Sequence, residues 1–211
     1  MRKFEILFIT FLILGLFKTY SQDIKEIDSI LKLEKLEYFE KELRVYVFQS
    51  LRSNNKLYRI FKNKESQWKL EKYFIYAEIE SINYFDENGS LKTYKTDKFS
   101  KINVMPANNF EKEWLELLAT NILKLPDFYE YKYKLSEKEI KMENGKYELF
   151  DKIIEITDGD TYLIKIKNEN ESNELIVHEP LSYFKLYPHV DELEYLSTFL
   201  NKINKLFHPK N

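Results

Sequence analysis

No cysteine occurs in the 211 residues, and glycine and proline are scarce, with four and five copies. The first absence excludes a disulfide-stapled scaffold and a thiol nucleophile; the second excludes collagen-like repeats and Pro/Gly-rich disordered tracts. Beyond the first 17 residues there is no apolar run near the roughly 18 residues that a helix needs to cross a bilayer. A mean hydropathy of −0.51 fits a soluble body. Neither sign of charge dominates, with 33 Lys and Arg against 35 Asp and Glu, so nothing invites nucleic acid or an anionic membrane surface. What is present is enough to fold, since 44% of the residues are apolar and 16% aromatic. Lys, Asn, Ile, Tyr and Phe abound beside only three alanines (Ala77, Ala107, Ala119), a usage that points to an AT-rich bacterial genome.

The N-terminus reads as an address. Arg2 and Lys3 precede an apolar stretch from Ile6 to Phe17, followed by the polar exit Lys18, Thr19, Tyr20 and Ser21. Twelve residues of helix cover about 18 Å, short of the roughly 30 Å hydrocarbon core. Thr19 and Ser21 are small, as positions −3 and −1 of a signal-peptidase cut before Gln22 require. The expectation is a cleaved signal peptide over residues 1–21 and a single domain over 22–211. The mature chain would be a monomer without stable membrane insertion, periplasmic or extracellular. A body of about 190 residues buries enough surface to be held by its core alone.

Glycine punctuates that body. Asn88-Gly89, Asn144-Gly145 and Asp158-Gly159 each supply the positive φ angles of a type I′ turn, and alternating residues flank all three, so each predicts a hairpin. Leu43 to Gln49 and Leu57 to Lys62 predict a fourth, Trp68 to Tyr76 a further strand, and Asn168 to Asn173 an exposed loop between two strands. Apolar stripes at spacings of three and four predict helices over Asp23 to about Glu42, Asn109 to Leu123 and Pro188 to Phe207. The fold class is α+β: an antiparallel sheet of about eight or more strands with about three amphipathic helices, including a C-terminal one, packed on it.

Chemical signatures are few. Gly-x-Ser-x-Gly, His-Glu-x-x-His, Walker-type and Gly-x-Gly-x-x-Gly motifs are missing, so no cofactor and no metal is expected. His178 falls at a strand end, and His189 and His208 at the two ends of the last helix, with no ligand spacing between them. Asp158-Gly159-Asp160 lacks the other ligands of a calcium loop. Trp68 and Trp114 read as core. Phe128 to Leu135 reads as a strand carrying Tyr129, Tyr131 and Tyr133 on one face, either packed inward or open as a binding platform. Together these features suggest an exported, non-catalytic protein that binds an unknown protein, peptide or glycan. The alternatives are a cofactor-free hydrolase using carboxylates or a Ser/His set, and an immunity or inhibitor protein.

Overall fold

The computed structural model describes residues 24–49, 54–76, 81–85, 88, 90–95 and 98–208. The expected export segment, including Ser21 and Gln22 at its cut, lies outside the described residues. The chain divides into two compact units, Met1–Tyr38 and Phe39–Asn211.

In the first unit, residues 24–30 are helical. The helix closes where Leu31 N donates to Ile27 O (2.9 Å) and Lys32 turns left-handed at φ 53°, and a 3-10 turn follows over Leu36–Tyr38. The helix expected to run to about Glu42 is therefore shorter. Residues from Lys41 onward are instead drawn into strand, because Leu43, Val45 and Val47 alternate and find antiparallel partners on both sides.

The second unit is built on a six-stranded antiparallel sheet with strand order β10-β9-β1-β2-β3-β6. Its members are β1 (Lys41–Gln49), β2 (Asn54–Lys62), β3 (Trp68–Tyr76), β6 (Phe99–Val104), β9 (Asp160–Asn168) and β10 (Glu171–His178). Two hairpins stand outside it among the described residues: β4 (Ser81–Phe85) with β5 (Leu91–Lys95), and β7 (Ser136–Glu143) with β8 (Lys146–Ile153). The fold class is the expected α+β. Of the three glycine-marked hairpins, those around Asn88 and Asn144-Gly145 form. Asp158-Gly159 leads from one sheet into another and makes no hairpin. Nor is Asn168 to Asn173 a loop. Asn168 pairs with Glu171 across a two-residue turn in which Glu169 takes φ 55° and donates its N–H to Glu40 O at 2.7 Å.

Side chains alternate across this sheet. One face carries Leu43, Val45 and Val47 of β1, level with Ile166, Ile164 and Tyr162 of β9 and with Ile60, Tyr58 and Lys56 of β2. Four helices cover it: α1 (Phe110–Leu118), α2 (Phe128–Tyr131), α3 (Pro180–Leu186) and α4 (Asp191–Phe207). Helix α1 buries Phe110, Trp114 and Leu117 at spacings of three and four. Trp68 lies 5.1 Å from Trp114, ring centre to ring centre, so both tryptophans belong to the core. Asn173 of β10 reaches over to donate to Ile122 O (2.8 Å) and Leu125 O (2.9 Å), satisfying carbonyls that the turn after α1 leaves open. Helix α4 buries Leu193, Leu196, Leu200, Ile203 and Phe207, with acids in its first turn and Lys205 in its last, as the helix dipole favours.

Helix α3 has no counterpart among the predicted elements. It begins with Pro180 after Glu179, a residue held left-handed at φ 45°. The Glu179 carboxylate accepts from Asp160 N and from Ser182 Oγ, and lies where a side chain on Gly159 (φ 141°) would sit. Glycine is needed there both for its conformation and for its missing Cβ.

The opposite sheet face carries a ladder of charges. Glu42 accepts from Arg44 Nε (2.9 Å) and Arg59 Nε (2.6 Å); Arg59 reaches on to Glu71 (3.2 Å), which also accepts from Lys101 Nζ (2.5 Å) and Tyr73 Oη (2.7 Å). The Arg59 guanidinium is 3.9 Å from the Phe61 ring centre and 5.1 Å from that of Phe39. Burial acts to lower the Arg44 pKa, yet hydrogen bonds and charge from Glu42 hold it above its ordinary value. Burial likewise acts to raise the Glu71 carboxyl, and Lys101, Tyr73 and Arg59 outweigh that and lower it.

Two outcomes follow. Gly159→Ala should destabilise by about 2 kcal/mol or more, whereas Gly145→Ala, with open space around its Cβ at φ 78°, should cost only about 1 kcal/mol; urea unfolding of the two variants measures the difference. Because the folded Glu71 titrates below an unfolded glutamate, its stabilisation is complete above about pH 4.3 and is lost as pH falls through the lower folded value. Glu71→Gln should lower stability at pH 7 by about 3 kcal/mol and flatten its decline between about pH 5 and 3.

Candidate functional site

The second hairpin is where the structure leaves apolar surface uncovered. Asn144 (φ 51°) and Gly145 (φ 78°) form its two-residue turn, and Glu143 pairs with Lys146 across it. Register then places Ile140 opposite Leu149 and Met142 opposite Tyr147, all four on one face. The other face is charged apart from Phe150: Glu137, Glu139, Lys141 and Glu143 from β7, and Lys146, Glu148 and Lys152 from β8. An amphipathic ribbon of this kind normally turns its apolar side onto a core. Here every residue from Ile140 to Leu149 is exposed, with Tyr147 at 74% and Ile140 at 69%. The four side chains present on the order of 500 Å² together, the size of the largest patch on a typical monomer, and such patches are often functional.

The ribbon is anchored firmly at its base. On the entry side Leu135 is fully buried at the end of a 3-10 turn over Lys132–Leu135, and Lys134 Nζ donates to Glu192 Oε1 at 2.5 Å. On the exit side the hydroxyls of Tyr187 and Tyr183 accept the backbone N–H groups of Ile154 (3.4 Å) and Ile156 (3.2 Å). Lys138 pairs with Asp151 near the root of the apolar face, while Lys141 meets Glu139 (3.2 Å) and lies 5.9 Å from the Phe150 ring centre on the polar side. An isolated two-stranded ribbon is marginal in water. This one is held at its ends and by its own pairs, and its apolar face remains exposed.

The tyrosines nominated by the sequence do not form a ladder. Pro126 and Asp127 open a helix there instead, closed by a capping box in which Asp127 N donates to Glu130 Oε1 (3.1 Å) and the Asp127 side chain accepts in return. Tyr131 is buried, and burial together with Glu192 and Asp127 raises its phenol above the ordinary range. Tyr129 and Tyr133 are exposed, Tyr129 in α2 and Tyr133 in the 3-10 turn after it. The histidines have separate neighbours. His178 Nδ1 meets Thr161 Oγ1 (3.0 Å), the His189 ring lies edge-on to Tyr187, and His208 Nε2 meets Lys72 Nζ (2.7 Å). Among the described residues no three His, Asp or Glu side chains gather as a metal site would require.

A groove of about 690 Å³ runs along the β3 and β6 end of the main sheet, past Trp68, Glu71, Lys101, Asn103 and Met105. Three of its polar groups are already engaged: Glu71 with Lys101, and Trp68 Nε1 with Glu111 Oε2 (3.1 Å). The hairpin has the opposite character, with its apolar face uncovered. Sequence reading places Ile140, Met142, Tyr147 and Leu149 correctly on strands but gives no sign that they stay uncovered. The one available signal is the facing run of charge, which leaves the ribbon a single apolar side. No protein-family model, curated protein or solved structure matches this chain.

Proposed function

We propose that the protein is exported to the periplasm or the cell exterior, after cleavage between Ser21 and Gln22, and acts there as a non-catalytic binding protein. The observation that carries this reading is the apolar face of the β7–β8 hairpin, formed by Ile140, Met142, Tyr147 and Leu149 and exposed over its whole length. Each such side chain gains about 1.5–3 kcal/mol on full burial, so four of them suffice for a stable contact once ordering costs are met. The hairpin carries alternating Lys and Glu and no strong net charge. That composition favours a protein surface or an extended segment over an anionic lipid surface. The three-part N-terminus supports export.

The test uses envelope extracts and culture supernatant as the source of partner. The full chain should enrich one protein over a control, and Tyr147→Lys combined with Leu149→Lys should abolish that enrichment while shifting the melting temperature by less than about 3 °C, because both side chains are exposed. Equal enrichment by the variant would remove the hairpin from the binding surface. Intact protein starting at Met1 in the cytosol would overturn the export reading.

A further inference from the structure

A second unspent site lies on the helix-facing side of the sheet. A cleft of about 200 Å³ opens between β1, β2, β9 and the last turns of α4. Its floor is apolar, made by Val45, Val47, Leu200 and Ile203, all buried. Around it stand Lys56, Tyr58, Asp160, Tyr162, Asn201 and Asn204. Register fixes the arrangement. Val47 is level with Lys56 on one side and Tyr162 on the other, and Asp160 lies two residues before Tyr162 on the same face.

Charge is sorted across this cleft. Lys56 lies on the β2 side with Lys72 one strand beyond, close enough that burial and the Lys56 charge together lower the Lys72 pKa. Asp160 and Glu179 lie on the β9 side. There burial, then Asp160 and Glu179, raise the Tyr162 phenol, and burial with Asp160 raises Tyr58. Glu179 is spent on Asp160 N and Ser182 Oγ, and Lys72 on His208. The side chains of Lys56, Asp160 and Tyr162 line the cleft half-buried and outside these pairs, with Asn201 and Asn204 exposed beside them. A cation facing an anion over an apolar floor matches a molecule with the same three parts. The volume equals roughly seven waters, the size of a single leucine and below the range of nucleotide or cofactor pockets. The face of Tyr58 is already taken by Phe207 (5.0 Å between ring centres) and by Lys72 (5.5 Å).

We propose that this cleft binds a free aliphatic α-amino acid, its side chain on the Val45, Val47, Leu200 and Ile203 floor, its carboxylate at Lys56 and its ammonium at Asp160. Calorimetric titration of the full chain with L-leucine, leucinamide, N-acetyl-leucine and glucose tests it. Leucine should bind, while leucinamide and N-acetyl-leucine, each lacking one charge, should bind at least about tenfold more weakly. Lys56→Met should weaken leucine by a similar factor and leave leucinamide unchanged; Asp160→Asn should weaken leucine and leave N-acetyl-leucine unchanged. The unmutated protein with the two blocked ligands gives the same answer should a variant misfold. No binding of leucine up to about 10 mM, equal affinity for the blocked ligands, or preference for glucose would overturn the assignment. None of these outcomes bears on the hairpin, whose residues do not line the cleft.

Discussion

The pairing of β1 with β9 is the constraint on which the rest of the domain depends. It joins residues more than a hundred positions apart in one unbroken register, from Lys41 opposite Asn168 to Gln49 opposite Asp160. Without it the sheet would be two separate meanders, β1-β2-β3-β6 and β9-β10. With it, Val45 and Val47 gain neighbours on both sides, the helices find a continuous apolar surface, and Asp160 is delivered to the cleft opposite Lys56. Such non-local pairing is costly in loop entropy and is repaid only when all its contacts form together. That favours cooperative folding of the second unit, with Trp114, Leu117 and Phe199 closing over a sheet that already has its full width.

The protein treats its polar groups in two contrasting ways. On the sheet face away from the four helices, Glu42, Arg44, Arg59, Glu71, Tyr73 and Lys101 are bound to one another, so the cost of burying charge is met by several close partners and Arg59 is further held against aromatic rings. A network so fully satisfied is structural, and its displaced pKa values express stability. Around the 200 Å³ cleft the same residue types stand apart from one another, and at the hairpin the apolar groups stand apart from any core. Surfaces left incomplete in a chain that completes its interactions elsewhere are where ligands are sought.

Much of the fold was legible because the pattern was local. Alternation from Leu43 to Gln49 and from Tyr162 to Lys167, the Asn144-Gly145 turn, and the stripes of α1 and α4 each report through neighbours within a few residues. The errors have physical causes. Tyr129, Tyr131 and Tyr133 alternate as a strand should, but the Asp127-x-x-Glu130 capping box outweighs alternation. Asp158-Gly159 has hairpin composition, yet its glycine serves a close approach by the Glu179 side chain, a contact set by tertiary structure alone. Helix α3 depends on the left-handed Glu179 and Pro180, which no periodicity reveals. Of the candidate sites, the hairpin's strands could be read but its exposure could not. The cleft was invisible, since Lys56, Asp160 and Asn201 come together only through strand order and the packing of α4.

The polar side of the ribbon has one more consequence. Open strand edges can template copies of themselves, and stacking of identical strands in register would set each residue about 4.8 Å above its twin. For β7 and β8 that would align glutamate over glutamate at 139 and 143 and lysine over lysine at 141, 146 and 152. Columns of like charge make fibril growth unfavourable while leaving the Ile140 and Leu149 side untouched. An apolar surface of this size is thus compatible with high concentration without seeding amyloid.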